Sequence, residues 1–330
     1  MNFKLCALDD SLSHKGREAF YLDGFLNFLK PPGLTSHDVV EQIRTMFPRL
    51  KVGHGGTLDP GAAGVLPILL GKTTRFSPYL VDFPKVYRAE LFLGITTDSA
   101  DCYGKIIARK EPFPLRVEEI EKVLTSFTGI IQQIPPMQAA IKQKGRKLYE
   151  YARKGLTIER KTRTINIFYL KLIDYFPPER ILLEVKCSKG TYIRTLCSDI
   201  GDALGFGGHM SFLLRTAVGN FTISQAKTFE DFHSPSCSDE AGELLLEPDF
   251  PFQNLPRIVL EREYGKILAH GRFLTLKELK SRYGSLIAEP VDENIVPVYT
   301  TKGEFMGLAR WKIDQKTGFI LKAERFLNYM

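Results

Sequence analysis

Residues 53–64 read GHGGTLDPGAAG. Five glycines, one proline and one carboxylate share these positions. Glycine loses more backbone freedom on ordering than any other residue, so neither a helix nor a strand favours this composition. Asp59 precedes Pro60, and a residue before proline is pushed away from helical toward extended geometry. The stretch therefore reads as a loop. The apolar run VLPILLG (65–71) follows directly, which puts the carboxylate at the rim of a dry pocket. Two readings are open from these residues alone. Asp59 ties down its own loop as an Asx turn, or a permissive backbone holds it out to react.

The flanking sequence supplies the scaffold. GFLNFL (24–29) reads as an apolar strand and the following KPPG as a turn. Thr35 or Ser36 can cap a helix whose face carries Val39, Val40, Ile43, Met46 and Phe47, ended by Pro48. VYRAELFLG (86–94) alternates as a half-buried strand. Residues 117–127 form an amphipathic helix with Val117, Ile120, Val123, Leu124 and Phe127 on one side. ILLEVKCSKGTYIRTLCSDIGDALG (181–205) reads as strand, tight turn and helix, with Thr191 as cap and Gly205 past the end. Its buried stripe is Ile193, Leu196, Cys197, Ile200 and Leu204. Strands and helices mix without regular βαβ alternation, which predicts an α+β fold. Residues 232–249 turn polar, then acidic, between prolines, and read as a domain boundary. Beyond it, IVPVYTTKGEFMGLARWKI (295–313) predicts a hairpin about Lys302-Gly303 in a small β-rich domain.

Composition narrows the function. The chain has 330 residues, is 44% hydrophobic and has no apolar run of membrane-spanning length. Mean hydropathy is -0.12. The N-terminus lacks a basic start followed by an apolar segment, so it is no signal peptide and a cytoplasmic location is expected. Five cysteines form no CxxC pair and six histidines show no HExxH spacing, which argues against a disulfide framework and a zinc site. A formal net charge of +7 fits either a polyanionic partner or an ordinary basic enzyme. LLGKTT (69–74) fails as a phosphate loop, because Leu66 stands where glycine is needed and Pro67 has no N–H to donate. GFGGHM (205–210) does not complete a dinucleotide motif and follows a helix instead of a strand.

GHGGTLDPGAAGVLPILLGKTT (53–74) closely resembles the catalytic motif of the TruB family of tRNA pseudouridine synthases. Four further segments resemble the same family in the same order: GFLNFLKPPGLTS (24–36), KVYRAELFLG (85–94), IPPMQAAIKQKGRKLYEYARKG (134–155) and SKGTYIRTL (188–196). The resemblance covers residues from about 24 to 225. It implies a pseudouridine synthase fold: a mixed, mainly antiparallel central sheet flanked by helices. Residues 250–330 resemble a PUA-type RNA-binding domain, a small β-barrel. The domains expected are an N-terminal extension (1–22), a catalytic domain (23–245) with a basic insertion (131–163), and a PUA-like domain (246–330).

The implied activity is isomerisation of a uridine at position 55 in the T-loop of tRNA. The glycosidic bond breaks, the uracil turns, and a C–C bond forms at C5, so neither cofactor nor metal is required. Asp59 matches the nucleophile, and the glycines around it read as clearance for a flipped nucleotide. Chemistry agrees, because an ionised carboxylate opens a glycosidic bond by capture or by stabilising positive charge on the sugar. Arg194 matches the family's partner arginine, which forks onto carboxylates and stays charged. Tyr87 matches the tyrosine that stacks on the extruded base; as a strand residue alone it fits the core equally well. Leu213 aligns with a pocket-lining residue, His54 with one that occupies the gap left by the base, and Tyr192 with one that touches the nucleotide.

Residues 142–163 carry a one-sided basic excess, including Lys142, Lys144, Arg146, Lys147, Arg153 and Lys154, interleaved with Tyr149 and Tyr151. That mixture reads as a phosphate-tracking flap rather than a solvated helix face. The partner implied is the T-arm of tRNA, engaged by a monomer. Ala63 stands where the family usually carries threonine, and Gln138-Ala139-Ala140 replaces an aromatic-Ser-Ala run. Two alternatives compete: a guide-RNA-dependent relative, and an RNA-binding or tRNA-folding module. The basic insertion favours a stand-alone enzyme over the first. The set Asp59, Tyr87 and Arg194 argues against the second.

Overall fold

The computed structural model describes residues 22–47, 49–139, 141–143, 145–152, 155–156, 158–232 and 244–327. The expected N-terminal extension, apart from Leu22, lies outside the described residues, as do Pro48 and much of the polar stretch around 232–249.

The chain opens with β1 (Gly24–Lys30) and α1 (Ser36–Met46), then β2 (Val52–His54), β3 (Ala63–Leu70), α2 (Ser77–Asp82) and β4 (Lys85–Leu93). A short hairpin of β5 (Ile95–Thr97) and β6 (Ile106–Arg109) precedes α3 (Val117–Ser126) and β7 (Gly129–Gln133). The expected insertion holds β8 (Lys142–Gln143), β9 (Arg146–Lys147) and α4 (Leu148–Ala152). Then follow β10 (Arg163–Phe176), β11 (Arg180–Cys187), α5 (Ile193–Ala203), β12 (Gly208–Val218) and β13 (Phe221–Thr222).

These strands build one nine-stranded sheet in the order β1-β3-β12-β4-β11-β10-β7, with β2 on β3 and β13 on β12. Among the described residues its one parallel pair of strands is β3 with β12, over Ala63↔Leu214 and Gly64↔Arg215. The sheet is thus mixed and mainly antiparallel. Pro67 is tolerated inside β3 because that edge changes partner there. Residues 63 and 64 pair with β12, residues 68–70 pair with β2, and the missing N–H falls between. The Pro67 carbonyl still accepts from Gly55 N at 2.8 Å.

Local sequence explains the helices nearest the site. Thr35 caps α1, accepting from Asp38 N while Asp38 accepts from Thr35 N, a reciprocal capping box. Val39, Val40 and Ile43 bury the stripe, with Phe47 at the C-cap. The N-cap of helix α5 falls one residue later than expected. Tyr192 is the N-cap, without a side-chain bond, and Thr191 Oγ1 instead donates to Ser188 O at 3.0 Å. That bond tightens the turn after β11. Gly205 closes the helix at φ 88°, where glycine is unstrained. The stripe of α5 packs with Leu91, Leu93, Val185 and Ile120 into the core on one face of the sheet.

A second sheet of five strands follows, ordered β14 (Ile258–Leu260), β16 (Ile295–Thr300), β17 (Phe305–Asp314), β18 (Gly318–Phe326) and β15 (Phe273–Thr275). Helices α6 (Arg262–Ala269) and α7 (Leu276–Tyr283) contribute Leu268 and Leu279 to its core. The expected hairpin about Lys302-Gly303 joins β16 to β17, with Gly303 at φ 83°. This sheet fits the PUA-like module expected from the sequence. It is joined to the larger sheet by a shared apolar cluster holding Phe25, Phe76, Leu80, Phe252 and Leu308. Near the expected boundary, Leu246 still exchanges backbone bonds with Phe25 of β1. Among the described residues no helix is long and apolar enough to cross a membrane.

Candidate functional site

The glycine-rich stretch leaves β2 at His54 and enters β3 at Ala63, and between them its carbonyls are taken one by one. Arg215 Nη2 donates to Gly56 O at 3.0 Å, Nη1 to Thr57 O at 3.2 Å, and Nε to Val65 O at 2.8 Å. Ser36 Oγ, at the start of α1, donates to Leu58 O at 3.3 Å and accepts from Leu58 N at 2.9 Å. Ala62 N closes a turn onto Asp59 O at 3.0 Å. Lys30 Nζ, at the end of β1, donates to Pro31 O, Pro60 O and Ala62 O at 2.8, 3.2 and 2.7 Å. The guanidinium and the ammonium are buried, with Arg215 1% and Lys30 0% exposed. Carbonyl dipoles, not carboxylates, satisfy these two charges. Burial, helped by Arg215, pushes Lys30 down to about 8.

On this fixed loop the Asp59 carboxylate meets Arg194 from the first turn of α5. Arg194 Nη2 lies 3.0 Å from both Asp59 oxygens. Its Nη1 lies 3.4 Å from Asp101 Oδ2. The Arg194 side chain is 7% exposed, whereas that of Asp59 is 42% exposed. One side of the Asp59 carboxylate is therefore met by a single buried guanidinium nitrogen, and the other is open. Asp101 is itself fixed: Oδ1 accepts from Ser99 Oγ at 2.6 Å and Tyr103 N at 3.0 Å. Arg194 Nε is buried without a hydrogen-bond partner.

Asp59, Asp101 and Arg194 line a cleft of about 1070 Å³ together with Leu213, Met210, Gln138, Phe212 and Tyr103. The expected pairing of Asp59 with Arg194 is present, and Leu213 shares their cleft. Tyr87, His54 and Tyr192 are not among its lining residues. Tyr87, half-buried on β4, packs against the core cluster with its phenol beside the Arg215 guanidinium. Burial pushes that phenol up. His54 ends β2 with Nδ1 accepting from Gly56 N at 3.3 Å, and burial, aided by Arg215, pushes its imidazole down. Tyr192 is held by its backbone, exchanging bonds of 2.8 and 3.0 Å with the Gln133 side chain. Burial raises its phenol too.

In the insertion, Lys142 pairs with Lys147 and Gln143 with Arg146 along a two-stranded ribbon, and the Arg146 side chain is exposed. Lys144, Arg153 and Lys154 lie outside the described residues. Gln138 brings the root of this segment to the cleft.

Sequence reasoning missed Asp101 and Arg215 and gave Lys30 no role. Arg215 stands two residues after Leu213, on the same strand, and the β3–β12 register delivers it beneath the loop. Asp101 sits in TDSADCYG (97–104), where carboxylate-rich turn chemistry hides one specific contact. The glycines also serve differently than expected. Much of their clearance is filled by protein: a Cβ on Gly64, at φ 119°, would stand 2.2 Å from Arg215 O. Gly64 is what lets β12 approach β3.

A family model described as TruB family pseudouridylate synthase (N terminal domain) matches residues 44–193. A second, described as tRNA pseudouridylate synthase B C-terminal domain, matches residues 194–248. The chain is 46% identical over 306 residues to tRNA pseudouridine synthase B of Alkaliphilus oremlandii, covering 93% of this chain and 99% of that protein. It is 43% identical over 288 residues to tRNA pseudouridine synthase B of Caldanaerobacter subterraneus subsp. tengcongensis, covering 87% and 94%. Among solved structures, a chain of a Cbf5-Nop10-Gar1 complex superposes with a TM-score of 0.72 at 26% identity, over 95% of this chain and 88% of that one. With the motifs in order and the aspartate–arginine pair in place, these matches make the chain a member of the TruB family of pseudouridine synthases.

Proposed function

We propose that this chain isomerises uridine to pseudouridine at position 55 in the T-loop of tRNA, with Asp59 as nucleophile. The observation that carries this reading is the asymmetric Asp59 carboxylate, ion-paired by buried Arg194 on one side and open to the cleft on the other. The C1′–N1 bond of the uridine breaks and a C1′–C5 bond forms. The C5 proton departs and N1 takes one up, so no group enters or leaves. Arg194 pairs with the carboxylate and aims it. Reaching it requires the uridine to leave its stack, at a cost of a few kcal/mol. Leu213 supplies an apolar wall for the uracil. Tyr87, whose phenol stays protonated at neutral pH, offers a neutral ring to stack on the base. His54, kept neutral by burial, flanks the gap in the RNA, and Tyr192 contacts the nucleotide.

Residues 23–245 form the catalytic domain in this reading, and 246–330 a PUA-like domain gripping the acceptor side of the tRNA. The insertion, 131–163, tracks phosphates along the T-arm with Lys142, Lys144, Arg146, Lys147, Arg153 and Lys154. The enzyme works as a monomer in the cytoplasm. The curated relatives favour a stand-alone enzyme over a guide-dependent one, because each bears the name tRNA pseudouridine synthase B.

One assay tests this. Purified protein is given unmodified tRNA transcript tritiated at uridine C5, and tritium release is followed. Release without guide RNA, abolished in Asp59→Ala with binding retained, is expected. Release only on addition of guide RNA would support guide dependence. Binding without release by the wild type would reduce the protein to an RNA-binding module.

A further inference from the structure

Two aromatic side chains on the cleft lining remain without a role. Tyr103 is 75% exposed and Phe212 47% exposed. Large aromatic surface left open beside a reactive carboxylate is more informative than an isolated surface ring. Tyr103 is also placed, not loose. Its N–H donates to Asp101 Oδ1 at 3.0 Å, and Cys102 N, beside it, donates to Met210 O at 3.1 Å. Its ring lies over Gly61, two residues past Asp59. A Cβ on Gly61 would sit 2.2 Å from Cε2, 2.5 Å from Oη and 2.6 Å from Cζ of Tyr103. Gly61 does not have a positive φ, and the three nearest atoms to that Cβ all belong to this ring. Glycine at 61 is thus the vacancy into which Tyr103 settles.

We propose that Tyr103 is a stacking platform for a base of the substrate RNA, the one flanking the nucleotide that enters the cleft. The inference rests on reading the cleft as the site of an RNA isomerase. A nucleoside over Asp59 fills the floor, so its chain neighbour lies at the rim, where Tyr103 stands. Single-stranded bases splayed from a loop are bound by exposed aromatic rings, whatever their sequence. The anchor is shared: Asp101 holds the Tyr103 backbone with one oxygen and Arg194 with the other. The platform is therefore fixed relative to the Asp59–Arg194 pair, and RNA seated on it arrives in register with the carboxylate.

The test uses the full chain and tritiated tRNA transcript, with tRNA binding measured separately by filter retention. Tyr103→Ala and Tyr103→Leu should raise KM and Kd about 5- to 150-fold, the range of a lost base–aromatic stack. The single-turnover rate at saturation should stay within about twofold, and Tyr103→Phe should restore KM. Gly61→Ala should evict the ring and raise KM as Tyr103→Ala does, and the double variant should be no worse than either single one. Unchanged KM and Kd in Tyr103→Ala, a leucine as good as phenylalanine, or a loss confined to kcat each overturn the proposal. A wild type that releases no tritium defeats the isomerase reading instead. The platform is then still decided by whether Kd rises in Tyr103→Ala.

Discussion

Arg215→Lys tests whether the loop is held by geometry or merely by charge. Lysine keeps the buried positive charge, so the cost of burying it is nearly constant between the two proteins. What changes is the fork. Arginine reaches three carbonyls in two directions, Val65 O through Nε and Gly56 O and Thr57 O through the terminal nitrogens. A single ammonium cannot span all three. One or two buried carbonyls then lose their donor at about 1–3 kcal/mol each, which spans about 1–6 kcal/mol, and a loss of about 2–4 kcal/mol, the middle of that span, is expected. At roughly 2.1 cal/mol/K of unfolding entropy per residue, that loss lowers the melting temperature of this chain by roughly 3–6 °C. Freed carbonyls at Gly56 and Thr57 let the loop shift, and a displacement near 1 Å at Asp59 costs about 10²-fold in rate. Calorimetry reads the first number and single-turnover tritium release the second. A variant melting within about 1 °C of wild type and reacting at its rate would refute the clamp. A lowered melting point with an intact rate would leave Arg215 a purely structural residue.

Asp101→Asn removes the counter-charge on the far side of Arg194 and should slow single-turnover release roughly 10- to 100-fold, on the scale of a lost positioning contact; an unchanged rate would mean that Asp59 alone orients the arginine. Burial moves Lys30 from its ordinary 10.5 to about 8, so it sheds its proton earlier in the folded chain. Between those values the unfolded state binds more protons and stability rises with pH, by about 1.3 kcal/mol from pH 7 to 9 through this group. Lys30→Met should lack that increment when unfolding is compared at the two pH values, and identical pH dependence in both proteins would contradict it. Neutralising Lys142, Lys144 and Lys147 together should weaken tRNA binding and reduce the slope of log K against log salt by about 2–3. An unchanged slope would remove phosphate tracking from the insertion.

The chemistry was legible in the sequence wherever it resided in a motif contiguous along the chain. Asp59 and Arg194 each sit in such a motif, and the fold then had only to bring them within 3.0 Å. Strand β4 and helices α1 and α3 were legible because one face is apolar at the right period. Lys30 and Arg215 were not, because their role depends on register. A lysine at the end of an apolar strand and an arginine inside another look like surface or edge residues until β1 pairs with β3 and β3 with β12. Their partners are backbone carbonyls, which leave no trace in residue identity. Asp101 was hidden for a related reason: short turns rich in Asp, Ser and Gly look alike, and only the three-dimensional path shows which carboxylate turns inward. The start of α5 moved by one residue because the Thr191 hydroxyl found a better acceptor in the preceding turn.

A loop whose carbonyls are taken from Gly56 to Pro60 cannot accommodate its substrate by bending. Asp59 is presented in one place, and RNA must be brought to it by other parts of the chain. Those are the insertion rooted at Gln138 and the exposed ring of Tyr103. Clamp and carrier should therefore separate kinetically. Substitutions at Arg215, Lys30 or Asp101 should lower kcat with little change in KM, because they alter how the carboxylate meets a bound nucleotide. Substitutions at Tyr103 or along 142–147 should raise KM at nearly constant kcat, because they alter how often the nucleotide arrives. A clamp variant that changed only KM would mean that the loop itself flexes to capture RNA. The saturated hydrogen bonding would then be a property of the free state alone, and the division between the groups that do the chemistry and those that recognise RNA would have to be abandoned.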